Sequence, residues 1–291
     1  MTDPRREKFR TLLGRPGVTL VPGAHDALTA RLIEAKGFEA VYMTGGGTAV
    51  ALTGLPDNGL VTASETVMNA RYLADAVSIP LIVDADTGYG NAVNVVRTVR
   101  DLDRAGAACI QIEDQVSPKR CGHLPGKEVV GRAEFIGKIR AAADHRPDPA
   151  LAIMARTDAR ATRGFEEAVA RGNEALAAGA DLVFIEALES PEEFAAYARR
   201  CPGPLLANMT EFGKTPLIPA REFGQMGYRF VIFPASALRV MLRAASELLD
   251  EIREKGTQAA FLDRMTTRQE LYELIGYDAY HRIEARYLPR E

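Results

Sequence analysis

Residues 119–123 read Lys-Arg-Cys-Gly-His and follow closely on Gln111-Ile112-Glu113-Asp114-Gln115. A thiol, an imidazole and two fixed cations around a glycine do not suit a buried strand. They suit a mobile loop, residues 116–127, that brings a thiol to an anionic substrate while the preceding acids hold a metal. Cationic neighbours are where reactive thiols are found, because they favour the thiolate. Cys109 lies inside an apolar run and reads as inert packing, and Cys201 sits between Arg200 and Pro202 at a helix end. Three cysteines without metal-ligand spacing indicate neither a disulfide framework nor a zinc site.

Further polar residues follow apolar runs at regular intervals. They are Tyr42-Met43-Thr44-Gly45-Gly46-Gly47, Asp84-Ala85-Asp86-Thr87-Gly88, Glu113-Asp114, Arg156-Thr157-Asp158, Glu186 and Asn208-Met209-Thr210-Glu211. Any one alone could cap a helix; the whole set, with an Arg and several acids, is more than capping needs. Side chains two apart on a strand share a face, so Asp84 and Asp86 are expected to face one spot, with Glu113 beside it. Three hard oxygen donors without His or thiolate suit Mg²⁺, or Mn²⁺ in its place. The Gly45-Gly46-Gly47 run is either a tight turn or a nest of N–H groups for an anion. It matches neither G-x-G-x-x-G nor G-K-[ST]. Arg156 is a candidate bidentate partner for a carboxylate.

The elements that must position these residues are short apolar runs at 19–21, 39–43, 80–83, 108–112, 151–155, 181–185, 204–207 and 230–233. Most are too short for helices and apolar throughout, the pattern of parallel strands buried on both faces. Between them lie helix-like segments such as 165–178, with Phe165, Val169 and Leu176 on one side and Glu166, Glu167 and Arg171 elsewhere. Gly37, Gly106, Gly179 and Gly227 each stand where a helix must stop before a strand. Eight such repeats predict an α/β fold, a closed (β/α)8 TIM-type barrel, over a doubly wound open sheet, with chemistry at the C-terminal ends of the strands. No linker composition breaks the chain, so residues 1–291 read as one domain. A long helix over 235–255 and a helical extension over 256–291 exceed what a barrel needs, and the surplus is expected to pack on a neighbouring subunit. Hydrophobic content of 47% supports an ample core, and a net charge of −3 leaves no footprint for nucleic acid. No apolar run spans a membrane and none follows Met1, so a cytoplasmic setting is expected.

With these motifs, and with Ile112-Glu113-Asp114-Gln115, Met154-Ala155-Arg156-Thr157-Asp158 and Ala207-Asn208-Met209-Thr210-Glu211-Phe212-Gly213, the chain resembles the isocitrate lyase/phosphoenolpyruvate mutase superfamily. It is most similar to the superfamily's 2-methylisocitrate lyases, from about Val21 to Tyr287. Lys-Arg-Cys-Gly-His marks the carbon–carbon lyase branch, and residues 268–275 look like the methylisocitrate lyase tail. The resemblance implies a Mg²⁺-dependent homotetramer whose eighth helix is swapped between subunits, acting on a small di- or tricarboxylic acid. Carried over, Asp84, Asp86 and Glu113 surround the metal, directly or through water. Thr44, Gly45, Gly46 and Arg156 bind the 2-oxoacid end. Asn208, Thr210, Glu186 and His123 meet the other product, and Asp57 and Gly122 join the substrate-binding set. Cys121 is the expected proton donor, with Lys119, Glu113, His123 and Tyr42 completing the catalytic group and Tyr42 a candidate base. Thr44 stands where many methylisocitrate lyases have Ser, which preserves the hydroxyl. Pro234 follows the lyase pattern, where oxaloacetate hydrolases tend to carry Ser. The implied activity is cleavage of 2-methylisocitrate to pyruvate and succinate. The alternatives are 2,3-dimethylmalate or oxaloacetate cleavage and, more remotely, non-catalytic binding of an organic acid.

Overall fold

The computed structural model describes residues 3–124 and 126–288. Helix α1 (Pro4–Gly14) precedes strand β1 (Thr19–Ala24), followed by α2 (Ala27–Ala35), β2 (Val41–Met43) and a short α3 (Gly45–Thr48) that runs into a π turn at Ala49–Thr53. Then come α4 (Ala63–Ala76), β3 (Leu81–Asp84), α5 (Ala92–Arg104), β4 (Cys109–Glu113), α6 (Arg132–His145) and β5 (Ala152–Thr157). The second half holds α7 (Ala159–Arg163), α8 (Phe165–Ala177), β6 (Leu182–Ile185), α9 (Pro191–Arg200), β7 (Leu205–Asn208), α10 (Ala220–Met226) and β8 (Phe230–Phe233). Helices α11 (Ser236–Lys255), α12 (Arg268–Ile275) and α13 (Tyr277–Tyr287) end the chain.

The eight strands pair in sequence order, all parallel, and β1 closes on β8 through Thr19↔Phe230 to Pro22↔Phe233. Each of the eight apolar runs overlaps an observed strand, and the open-sheet alternative is ruled out. Local signals set the boundaries. Thr62 and Glu65 form a reciprocal capping box at α4, Ser190 caps α9 ahead of Pro191, and Asp26 caps α2. Gly37, Gly106, Gly179 and Gly227 have φ of 83, 91, 103 and 97°, the left-handed stops that the sequence pattern required.

Alternation along each strand divides the core. Ile82, Cys109, Met154, Leu182, Phe184, Leu206, Phe230 and Ile232 fill the barrel interior. Leu81, Val83, Ile110, Ile112, Ile153 and Ala155 pack outward under the helices. The interior is stoppered at its N-terminal mouth by α1, whose Phe9 stacks on Phe230 with ring centroids 5.3 Å apart. Arg6, also buried, donates to the carbonyls of Ala107 at 3.0 Å and Asp103 at 2.8 Å. The charged composition of residues 1–10 gave no hint of this plug.

Two expectations change. Arg171, placed away from the apolar side of α8, is buried, because it ion-pairs with Asp114 at 3.0 Å and Glu167 at 2.9 Å beneath the helix. Gly45–Gly47 form the first turn of α3 rather than an isolated tight turn.

The chain divides into two units between Ala237 and Leu238. In the second, Arg264 meets Glu247 at 2.8 Å and Tyr272 stacks on Tyr277 at 4.4 Å, while no described residue of α11 to α13 is buried.

Removing the plug should be costly. Phe9→Ala should lower the unfolding free energy in urea by about 3–5 kcal/mol, whereas exposed Val93→Ala should change it by less than about 0.5 kcal/mol. A Phe9→Ala loss as small as that of Val93→Ala would contradict the role given to α1.

Candidate active site

Inward-facing positions turn polar at the C-terminal end of the strands. Tyr42 on β2, Asp84 on β3, Gln111 and Glu113 on β4 and Arg156 on β5 point into the barrel mouth; Glu186 follows β6, and Asn208 ends β7. All are buried. The parallel register sets Asp84 opposite Gln111 and Glu113 opposite Arg156.

Asp84 is the most firmly held acid. Its Oδ1 accepts from Gln111 Nε2 at 2.9 Å and from the Asp86 N–H at 3.1 Å, and its Oδ2 accepts from the Tyr42 hydroxyl at 3.2 Å. The Tyr42 hydroxyl also lies 2.9 Å from Gln111 Oε1. Burial, with Asp84 beside it, pushes Tyr42 well above the ordinary phenol value of 10.0. A phenol held neutral in this way donates to Asp84 and helps to position its carboxylate. Asp86 does not share a pleat with Asp84, because β3 ends at Asp84 and Asp86 has a left-handed φ of 47°. The two carboxylates converge all the same. A methyl group on Gly45 would sit 2.7 Å from Asp84 Oδ2 and 3.3 Å from Asp86 Oδ1. Lys119 pairs with Asp86 at 3.0 Å and also with Asp57. Burial pushes Asp86 up to about 6 despite that pair, with Asp84 and Asp57 adding to the effect.

Arg156 is shared among acids. Its Nε lies 3.3 Å from Glu113 and 3.1 Å from Asp158, its Nη2 lies 2.9 Å from Glu186, and the guanidinium sits over the Phe184 ring at 4.9 Å. Burial would raise Glu186, but Arg156 and His123 outweigh it and hold that carboxyl well below the usual range. Glu113 goes the other way: burial drives it well up, and Arg156 only partly opposes the shift. Asn208 Nδ2 reaches both Glu186 oxygens, at 3.3 and 3.4 Å. Thr210 lies half-buried beyond β7, and Thr44 caps α3 by accepting from the Gly47 N–H at 3.2 Å. The first-turn N–H groups of a helix have no partner within it, so Gly45 and Gly46 offer donors to an anion together with the Thr44 hydroxyl.

The thiol loop is seated over this mouth. Its legs pair through Gln115 and Val129 and through the Val116 N–H to the Glu128 carbonyl at 2.9 Å. Gly122 packs so closely that a methyl group on it would lie 2.5 Å from Arg156 Nη2 and 2.8 Å from Glu186 Oε2. His123 Nδ1 accepts from the Lys214 N–H at 3.1 Å, which leaves the proton on Nε2, 3.0 Å from Glu186 Oε1. Cys121 is reduced and half-buried, while Cys109 and Cys201 are buried. Burial pushes the thiols of Cys109 and Cys201 up, to about 11 for Cys201, consistent with inert packing. The electropositive setting expected around Cys121 is largely neutralised. Lys119 pairs with Asp57 and Asp86, His123 meets Glu186, and the Arg120 side chain is exposed.

The structure therefore gathers Asp57, Asp84, Asp86, Glu113, Lys119, Gly122, His123, Arg156, Glu186 and Asn208 on one rim. Asp158, read from the sequence as a strand-end polar residue, joins them, as do Gln111, Gln115 and Lys127, to which the sequence reading gave no role. Gln111 carried a signal, being polar between Ile110 and Ile112 on the same face as Glu113; Lys127 carried none. Asp114 and Thr157 face outward instead, bonded to each other at 2.6 Å and, through Asp114, to Arg171.

A divalent cation fits the acidic side of the rim. Asp86 Oδ1 is met only by Lys119, at 3.0 Å, and Glu113 Oε2 only by Arg156, at 3.3 Å, while Glu113 Oε1 is buried without a partner among the described residues. No three His, Cys, Asp or Glu side chains among those residues converge tightly enough to form a protein-only coordination set. That combination suits Mg²⁺, which keeps waters and takes ligands from substrate.

Comparison with known proteins identifies the family. Residues 9–253 match the phosphoenolpyruvate phosphomutase family. The chain is 50% identical to the 2-methylisocitrate lyase of Aeropyrum pernix, over 95% of this chain and 89% of that one. A crystal structure of 2,3-dimethylmalate lyase, a PEP mutase/isocitrate lyase superfamily member, superposes with a TM-score of 0.92 at 39% identity, covering 98% of this chain and 96% of the other. A phosphonopyruvate hydrolase complexed with oxalate and Mg²⁺ superposes with a TM-score of 0.89 at 33% identity, covering 99% of this chain and 100% of the other. Among the described residues no helix is long and apolar enough to cross a membrane.

The neutral state of Tyr42 is open to a spectroscopic check. Tyrosinate absorbance at 295 nm for Tyr42→Phe should superpose on that of the parent up to pH 10, because Tyr42 does not ionise below its ordinary value. A tyrosinate step lost from the variant below that pH would contradict the upward shift.

Proposed function

The chain belongs to the PEP mutase/isocitrate lyase superfamily, and from that premise we propose that it is a carbon–carbon lyase cleaving 2-methylisocitrate to pyruvate and succinate. The observation that carries this reading is a reduced thiol, Cys121, on a loop seated against the Arg156–Glu186 pair and beside the converging Asp84 and Asp86.

Asp84 and Asp86, with Glu113 through water, would hold Mg²⁺, or Mn²⁺ in its place. When bound, the ion supplies Lewis acidity toward the hydroxyl and carboxylate oxygens of a 2-hydroxy acid. The rest falls to the chain's own residues. Arg156, the Thr44 hydroxyl and the N–H groups of Gly45 and Gly46 bind the carboxylate of the 2-oxoacid end. Asn208, Thr210, Glu186 and His123 orient the other half. The hydroxyl proton passes to a carboxylate of the acidic rim. The C2–C3 bond breaks, its electron pair goes to the succinate-side carbon, and the Cys121 thiol protonates that carbon as general acid. Closure of the loop over residues 116–127 excludes water from the carbanion. The exposed apolar side chains of α11, Val240, Leu242 and Leu249 among them, fit a homotetramer built by exchange of that helix.

A second reading has specific support, since the matching 2,3-dimethylmalate lyase structure covers nearly the whole chain. One apolar substituent is worth only about 10–200-fold in discrimination. Purified enzyme assayed for 2-oxoacid release should prefer 2-methylisocitrate over isocitrate, 2,3-dimethylmalate and oxaloacetate. It should lose turnover in EDTA, and Cys121→Ser should lower kcat at least about a hundredfold while Cys109→Ser does not. A tenfold higher kcat/KM for dimethylmalate would replace the named substrate. Undiminished turnover in EDTA would remove the metal.

A further inference from the structure

We infer that Lys127 is a positioning residue that fixes the peptide after Cys121 in register with Arg156. The inference rests on the reading of Cys121 as proton donor. The Lys127 side chain is only 2% exposed, and the Asp158 carboxylate it meets is fully buried. An ammonium so far from water needs strong acceptors. It finds the Gly122 carbonyl at 2.5 Å and Asp158 Oδ1 at 2.6 Å. Asp158 is itself rigid: its Oδ2 accepts from Arg156 Nε at 3.1 Å, and its N–H donates to Asp114 Oδ1 at 2.8 Å. A continuous line of charge-assisted bonds thus runs from the guanidinium at the substrate subsite, through Asp158 and Lys127, to the carbonyl one residue beyond the thiol. On the other side of Cys121, Gln115 clamps the Arg120 residue, accepting from its N–H at 3.0 Å and donating to its carbonyl at 2.9 Å. The backbone around Cys121 is held on both sides, with Leu124 and Val116 largely exposed and contributing little. Lys127 touches the loop backbone and Asp158, not the reacting atoms, and acts on the reaction through Gly122 and through the Asp158 it shares with Arg156.

A merely structural staple and a positioning residue differ in what they move. In Lys127→Met, iodoacetamide should alkylate Cys121, followed on its own peptide by mass spectrometry without ligand, at least about tenfold faster than in the parent. Placement errors near 1 Å cost about a hundredfold in rate, so kcat should fall by about that factor while KM, set by the intact Arg156 subsite, changes less than about threefold. Lys127→Arg, which keeps donor and charge, should recover most of kcat. If Lys127→Met does not fold, Lys127→Gln takes its place with both effects reduced to about tenfold or less, because a neutral donor to Gly122 survives. A kcat loss without faster alkylation, or faster alkylation without a kcat loss, overturns the inference. Should the parent cleave no 2-hydroxy acid, the lyase reading falls, and the alkylation rates alone still decide whether Lys127 holds the loop.

Discussion

Asp57, Asp84, Asp86, Glu113, Asp158 and Glu186 crowd the barrel mouth around Lys119, Lys127 and Arg156. Carboxylates outnumber fixed cations two to one in a region nearly closed to water. Unpaired buried charge costs several kcal/mol per ion even after relaxation, so each cation is shared. Arg156 serves Glu113, Asp158 and Glu186, and Lys119 serves Asp57 and Asp86. The sharing is incomplete, as the upward shifts of Asp86 and Glu113 show. An anionic acid cannot join such a site unless more positive charge comes with it, and a divalent cation beside Asp84 and Asp86 would supply that charge where it is needed.

The same constraint explains the loop. Lys119, His123 and Lys127 are three of its polar side chains, and each ends on a rim acid. Seating the loop is therefore part of neutralising the mouth. In sequence the Cys121 thiol stands among cations; in the fold those cations face carboxylates.

Much of this was legible beforehand, for physical reasons. The barrel could be read because each strand is a short apolar run with a glycine stop before it, and the rim residues because strand ends are where such a barrel keeps its chemistry. What stayed hidden depends on contacts distant in sequence. Lys127 looks like any loop lysine until it meets Asp158, 31 residues on. Arg171 looks like a solvent-facing helix residue until Asp114 meets it under α8. The bonding of the Tyr42 hydroxyl to Asp84 and Gln111 was hidden in the same way. The Asp84–Asp86 convergence was foreseen for an inadequate reason: the left-handed turn at Asp86, rather than the strand pleat, brings the second carboxylate back toward Gly45.

The central claim is that a seated thiol delivers one proton to a carbanion formed by carbon–carbon cleavage. Turnover of 2-methylisocitrate in D₂O with Mg²⁺ tests it, with deuterium content of the succinate read by NMR and its configuration read after conversion by a stereospecific enzyme. A proton placed by Cys121 from one side of the site should give succinate carrying a single deuterium of one configuration. Succinate without deuterium, or labelled equally in both configurations, would contradict the account, because the carbanion would then have been avoided or quenched by free water.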